Sequence, residues 1–539
     1  MLLGFSAVAQ TKSDLQGAAR LFDLEFSSQE LDTLHSDVLD NLANYKAMHQ
    51  LSLNNNVPLS LWQNPALPGM KFELKQRPLV WPKSITKLPA RKTDLAFYSI
   101  GQLAYLIKSK QITSLDLTRF FIERIKKYGD TLHCVISLQE EIALDQARQA
   151  DREITAGKYR GLLHGIPYGL KDLFAIKGTK TTWGAAPYKD QRIEEDAYVY
   201  QRLRDAGAVL VAKFSLGALA MGDYWFGGRT KNPWNLTYGS SGSSAGSASA
   251  TVAGLVPFAI GTETWGSIIS PATICGATGL RPTFGSVSRS GAMALSYSLD
   301  KIGPICRSAN DAAIVFSYIH GTDGQDLAAV NRPFNYDANR SVKGMKVGYA
   351  KNYFEKIKDT TRNEWKVIQL LKKQGIQVIP VDFPDSTAYP FNMMDIVIAA
   401  ECGAQFDELT RNNIDDLLTR QTKSDWPNQF RTSRFVPAVE YINAQRHRYL
   451  LMQKVNAVVS QFDAIICPSR GGGNQSAITN LTGHPVVCVP NGFDSKTNLP
   501  TGISFVGRLY DEGTILRIAT YYQDLTRFEE AHPKQFMQD

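Results

Sequence analysis

Three features that often reveal a protein's chemistry are scarce in this chain. Its 539 residues include six cysteines, far apart and without CxxC spacing. That argues against a cysteine metal cluster and gives no basis for a disulfide framework. The eight histidines are also dispersed, so no metal and no cofactor is expected from ligand spacing. Long apolar runs are missing. The most apolar part, around residues 248–261, is broken by Pro257. A spanning helix needs about 20 apolar residues, so no membrane span is expected. The net charge is +8, yet no block of Lys and Arg stands out. This reads as a mildly basic surface and not as a nucleic-acid footprint.

The chain does have the makings of a packed core: 43% hydrophobic and 20% charged residues. Its length permits one large α/β domain or two to three smaller ones. The start, "MLLGFSAVAQ", ends in the small-x-small pattern Ala7-Val8-Ala9, but its apolar part is short and no Lys or Arg precedes it. Residues 1–9 are read as the remnant of a clipped or mis-started secretory signal, which predicts a periplasmic or secreted protein. The competing reading is an ordinary apolar start and a cytoplasmic location. Residues 10–96 are expected to form an N-terminal extension. Helical patterning runs from about Ser28 to Met48, and a proline-broken stretch then wraps over a surface.

A regular alternation begins near Ser99. Ser99 and Gln102 have capping-box spacing. "TSLDLTRFFIERIKKYG" has helical periodicity with Gly129 as its stop, and "TTRNEWKVIQLLKKQG" reads as a capped helix ending at Gly375. "IQVIPVDF", "MKVGYA", "DAIICPS" and "HPVVCVPNGF" read as apolar, buried strands. "GTILRIATYYQDL" reads as a helix with Ile515, Ile518, Ala519, Tyr522 and Leu525 on one face. Strands alternating with helices predict a layered α/β fold. No internal repeat is found.

The stretch Tyr238–Ala272, "YGSSGSSAGSASATVAGLVPFAIGTETWGSIISPA", is crowded with serine and glycine. A flexible linker would lack the apolar run "ATVAGLVPFAI". A phosphate loop would need a lysine, and none lies between Lys231 and Lys301. Gly242-Ser243-Ser244-Ala245-Gly246 fits the G-x-S-x-G elbow with Ser244 as nucleophile. That reading needs a later histidine, and the candidates are His320, His447, His484 and His532.

The fourth reading comes from several motifs together. "SGSSAGS" and "ETWGSII" resemble the GGSSGGS-like loop and DTGGSIR-like turn of the amidase signature family. "LHGIPYGLKDLFAIKGTKTTWGA", "GRTKNPWN", "CGATGLRPTFGSVSRSGAMALSYSLDKIGPICRS" and "NLTGHPVVCVPNGF" are similar to further segments of that family, in the same order. The resemblance covers roughly residues 97–528. It implies a single large α/β domain, a mixed β-sheet covered by helices on both faces, followed by a short tail, 529–539. It also implies a stand-alone amidase using a Ser-Ser-Lys relay without a cofactor. The family's catalytic lysine maps onto Lys171 and its two serines onto Ser243 and Ser267, with a cis peptide expected at Ser243. The N–H groups of Thr264, Trp265, Gly266 and Ser267 would form the oxyanion hole.

Those residue types suit the chemistry. Amide hydrolysis needs a nucleophile, a proton route and oxyanion donors. A lysine can act as base only when neutral, which burial away from carboxylates favours. Lys171 follows an apolar strand and can point into a closed site, while Asp172 would point to the opposite face. The competing readings are a surface lysine and serines that cap turns or helices.

Three positions depart from the family pattern: Glu263 replaces Asp, Trp265 replaces a Gly, and Ile269 replaces an Arg that supports that Asp. If the turn needs positive φ at 265, Trp265 would be strained, and its indole could narrow the acyl site. The run Tyr224-Trp225-Phe226 reads as core in preference to pocket lining. Residues 385–435 correspond to the family's variable segment. The leading expectation is hydrolysis of small or peptide-like carboxamides by a monomer or homodimer. One rival is the glutaminase subunit of a tRNA-dependent amidotransferase, with partner subunits. Another is a binding protein on an inactive scaffold.

Overall fold

The structure, a computed structural model, describes residues 10–22, 24–48, 50, 55, 63–385, 393–471 and 473–538. The Ala7-Val8-Ala9 pattern and parts of the proline-broken and variable segments lie outside the described residues.

Eleven strands form one mixed sheet. They are β1 (Val135–Leu138), β2 (Pro167–Lys171), β3 (Val209–Phe214), β4 (Ala259–Glu263), β5 (Thr278–Arg281), β6 (Lys301–Cys306), β7 (Lys346–Ala350), β8 (Gln377–Val381), β9 (Ala464–Pro468), β10 (Val486–Phe493) and β11 (Pro500–Val506). Their order across the sheet is β1-β3-β2-β4-β6-β5-β10-β11-β9-β7-β8. β2 runs parallel to both β3 and β4, and β7 runs parallel to β8 and β9. The centre, from β4 through β11 to β9, is antiparallel.

Both faces are covered, which explains why these strands read as continuous apolar runs and not as alternations. Along β10, Val487 and Val489 enter one core while Val486 and Cys488 enter another. Along β3, Leu210 joins the first core, and Val209 and Val211 join a third. Side chains alternate across a strand, so apolar residues at every position need a core on each side.

Local details differ from the sequence reading where tertiary contacts intervene. Gly129 does not stop its helix, which runs Ser114–Leu132 and ends at His133 in the left-handed region. Gly129 is required by packing: a Cβ there would sit 2.9 Å from Val135 Cγ2. The helix before β8 spans Asn363–Lys373 and has no side-chain cap, because Thr361 bonds to Asp359 instead. β8 is an edge strand, partly exposed, which is why Pro380 is tolerated there. Leu525 is exposed, whereas Ile515, Ile518, Ala519 and Tyr522 are buried. The Ser99–Gln102 capping box is present.

In the N-terminal part, helices span Lys12–Leu21 and Ser28–Met48. The following segment lies along the body. Val80 exchanges backbone hydrogen bonds with Tyr336 and Ala338, and Trp81 stacks on Tyr336.

Candidate active site

The parallel pairing of β2 with β4 matches Gly169 to Ala259 and Leu170 to Ile260. It therefore brings Lys171, the last residue of β2, beside the end of β4. Lys171 is fully buried. Its Nζ lies 2.8 Å from Ser243 Oγ, 2.8 Å from Thr262 Oγ1 and 3.4 Å from the Thr262 carbonyl. Burial pulls its pKa down; Asp300 and Glu263 pull it partly back, and the balance stands at about 7. Asp172 faces away, as strand alternation demands. It forms a buried ion pair with Lys213 at 2.7 Å and accepts from the Thr182 N–H at 2.8 Å.

Ser243 sits in the loop that feeds the helix Ala245–Val252, and the Gly242–Ser243 peptide is cis. Gly242 packs so closely that a Cβ would lie 1.8 Å from the Gly222 carbonyl oxygen. No other residue fits. Ser243 is 1% exposed.

Ser244 is placed differently. Its hydroxyl accepts from the Thr262 N–H at 3.2 Å and donates to the Thr262 carbonyl at 3.1 Å. It ties the loop to β4. The elbow's histidines have other surroundings: His484 bonds Thr482, His320 bonds the Phe316 carbonyl, His532 stacks on Phe97, and His447 lies on an exposed helix face.

After β4 the chain turns sharply through Thr264–Ser267. The positive φ falls on Gly266, at 87°, and not on Trp265. Trp265 therefore does not carry the backbone strain that a positive φ at 265 would impose, and it is 43% exposed. Ser267 is 8% exposed. No hydrogen bond from the N–H groups of Trp265, Gly266 or Ser267 is found among the described residues.

Glu263 anchors this turn. Its carboxylate accepts from the N–H groups of Ile268 and Ile269, both at 2.9 Å, and from Arg281 and Asn480, both at 2.8 Å. Burial opposes ionisation, but Arg281, Ile269 and Asn480 outweigh it and hold the carboxyl down to about 2. The cation facing Glu263 thus comes from β5, while Ile269 packs in the apolar core. Arg281 is legible in "GLRPTFG", but nothing in the spacing marks it as this partner. Thr262 and Asp300 carry no such signal either. Thr264 Oγ1 donates to Asp300 at 2.6 Å.

A cavity of about 200 Å³ adjoins the turn through Thr262 and Thr264 and is walled by Leu173, Ala220, Met293 and Ile302 among others. Of the aromatic run, Trp225 is buried with its indole N–H on the His133 carbonyl, whereas Tyr224 is exposed beneath Arg229 and Arg420. Among the described residues, no group of three His, Cys, Asp or Glu is placed to hold a metal ion. No helix among them is long and apolar enough to cross a membrane.

Comparison with known proteins puts this geometry in context. Residues 116–472 match the family described as Amidase. The chain is 31% identical over 481 residues to a subunit of the glutamyl-tRNA(Gln) amidotransferase of Coxiella burnetii, covering 81% of this chain and 99% of that protein. It is 32% identical over 485 residues to the corresponding protein from Acinetobacter baumannii, covering 80% and 97%. Among solved structures, native peptide amidase from Stenotrophomonas maltophilia superposes with a TM-score of 0.71 at 29% identity, covering 81% of this chain and 98% of that one. On the sequence match and the shared single-domain α/β architecture, the chain belongs to the amidase signature family.

Proposed function

We propose that the protein hydrolyses a carboxamide to a carboxylic acid and ammonia or an amine through an acyl-enzyme on Ser267. The observation that carries this reading is the contact between the buried Lys171 side-chain nitrogen and Ser243 Oγ at 2.8 Å. A lysine with a pKa near 7 that, among the described residues, hydrogen-bonds to oxygens of Ser243 and Thr262 and to no carboxylate is poised to take a proton.

In the proposed reaction, neutral Lys171 accepts a proton from Ser243, and Ser243 accepts one from Ser267. The Ser267 oxygen bonds to the carbonyl carbon. The N–H groups of Thr264, Trp265, Gly266 and Ser267 stabilise the developing oxyanion. The C–N bond then breaks, with the leaving nitrogen taking its proton from Ser243, which Lys171 resupplies. Water attacks the ester by the same route, releases the acid and restores Ser267.

The names of the relatives support a second reading, in which the amide is glutamine and the ammonia passes to a partner protein. One experiment separates the two: ammonia release from a panel containing glutamine, small carboxamides and C-terminally amidated peptides, for wild type, Lys171→Ala and Ser267→Ala. The leading reading expects turnover of an amide other than glutamine, lost in both variants. Turnover of glutamine alone, together with co-purification of partner subunits, supports the second. Turnover unaffected by Ser267→Ala contradicts both.

A further inference from the structure

The chemistry above leaves several buried carboxylates unused, Glu401 among them. Glu401 lies on the helix Met393–Gln405 and is almost fully buried. An ionised group at such depth is tolerated only when its oxygens are fully hydrogen-bonded. Glu401 accepts from the Ser298 N–H at 3.0 Å, Ser298 Oγ at 2.6 Å, Tyr441 OH at 2.8 Å and the Ser296 hydroxyl. Arg448 closes the cluster from the helix Ala438–Val459, donating at 2.8 Å to both Ser298 Oγ and the Ser298 carbonyl.

The segment gripped in this way leads to the turn. The N–H groups of Leu295 and Ser296 donate to Asp300 Oδ2 at 2.8 and 3.0 Å. The other oxygen of Asp300 accepts from Thr264 Oγ1 at 2.6 Å. Thr264 is the first residue of the turn that ends in Ser267. A continuous chain of hydrogen bonds therefore runs from the helix Met393–Gln405 through residues 295–300 to the turn, with every link buried.

We infer that Glu401 is a positioning residue for Ser267 acylation: it fixes residues 295–300, and through Asp300 and Thr264 it fixes the N–H groups that meet the oxyanion. This rests on the reading of Ser267 as nucleophile. Such groups must be held to within a fraction of an ångström, and a displacement of about 1 Å can cost on the order of 100-fold in rate. A network of this kind acts as a unit, so its links are not additive.

The test is the rate of covalent labelling of Ser267 by a fluorophosphonate, followed by intact-mass spectrometry, for wild type, Glu401→Gln, Thr264→Val and the double variant. Rates are taken per folded molecule. The expectation is labelling slowed roughly 10–100-fold in each single variant, with the double variant little slower than Thr264→Val. A purely structural role for Glu401 would lower the melting temperature and leave the labelling rate per folded molecule unchanged, which would overturn the inference, as would full additivity. Ser296→Ala removes one link and leaves the bonds of Glu401 to Ser298 and Tyr441 in place, so the test survives if Glu401→Gln does not fold. It should slow labelling in the same direction, and wild-type speed would count against the inference. Absence of labelling in the wild type would instead defeat the reading of Ser267, and the inference with it.

Discussion

Lys171 and Lys213 lie on neighbouring parallel strands, one register step apart: Leu170 pairs with Lys213, and Lys171 with Phe214. Both are fully buried. Lys213 faces the Asp172 carboxylate at 2.7 Å, whereas Lys171 faces the hydroxyls of Ser243 and Thr262 at 2.8 Å each. Burial lowers the pKa of both; Asp172 counters it directly for Lys213, while for Lys171 the opposing charges lie beyond its hydrogen-bonding shell. The same residue at the same depth becomes half of an ion pair in one place and a candidate base in the other. The neighbour's charge makes the difference. The sequence Lys171-Asp172 itself sends the carboxylate to the opposite face of the strand, away from the base.

Substitution should separate the two roles. Ser267→Ala and Lys171→Met are expected to give the largest effect on turnover, about 10²–10⁴-fold or more, read as kcat on the best amide. Lys171→Met should not destabilise the fold, because it removes a buried group with no carboxylate contact. Lys213→Met should do the reverse. It leaves Asp172 charged and unpaired in the interior, which costs about 3–5 kcal/mol, visible in chemical denaturation. Turnover per folded molecule should be largely kept. Loss of turnover in folded Lys213→Met would erase the distinction.

The Lys171 site also makes stability depend on pH. The folded pKa of Lys171, about 7, lies below its ordinary value of 10.5. Between those values the unfolded chain binds more protons, so wild-type stability rises with pH relative to Lys171→Met. Below about pH 7 the difference is constant. Denaturation midpoints of the two proteins from pH 6 to 10 should converge in that direction.

Smaller effects test the two serines and the turn. Ser244→Ala removes a hydroxyl that bonds Thr262 twice and should cost about 1–3 kcal/mol in denaturation while retaining turnover. Loss of turnover with the fold intact would revive the elbow reading. Gly266→Ala forces a Cβ onto a φ of 87°, worth about 1–3 kcal/mol of strain, and should lower kcat. Trp265→Gly should be mildest: stability within about 0.5 kcal/mol, with any change confined to KM, since the indole is exposed and its backbone is unstrained.

What the sequence made legible follows the same physical division. Apolar runs and strand alternation predicted the layered α/β fold and sent Lys171 and Asp172 to opposite faces. The ordered motifs picked out Lys171, Ser243, Ser267 and Glu263 across positions far apart in the chain. Long-range partners were not legible. Arg281 meets Glu263 only because β5 and β4 flank β6 in the sheet, and Asp300 reaches Thr264 across 36 positions. Gly129 looked like a helix stop because its real constraint, Val135 packed against it, is a contact and not a local propensity. The positive φ that would have strained Trp265 falls on Gly266, where it costs nothing, since a turn's φ pattern cannot be placed to a single residue from composition alone.

The central claim is that neutral Lys171 draws the proton through Ser243 from Ser267. Its most direct test is the pH dependence of Ser267 phosphonylation, measured from pH 5 to 9 in wild type and Lys171→Met. The account predicts a wild-type rate that rises with pH through an inflection near 7, and a slow rate without that inflection in the variant. A flat wild-type profile, or the same inflection persisting in Lys171→Met, would contradict it.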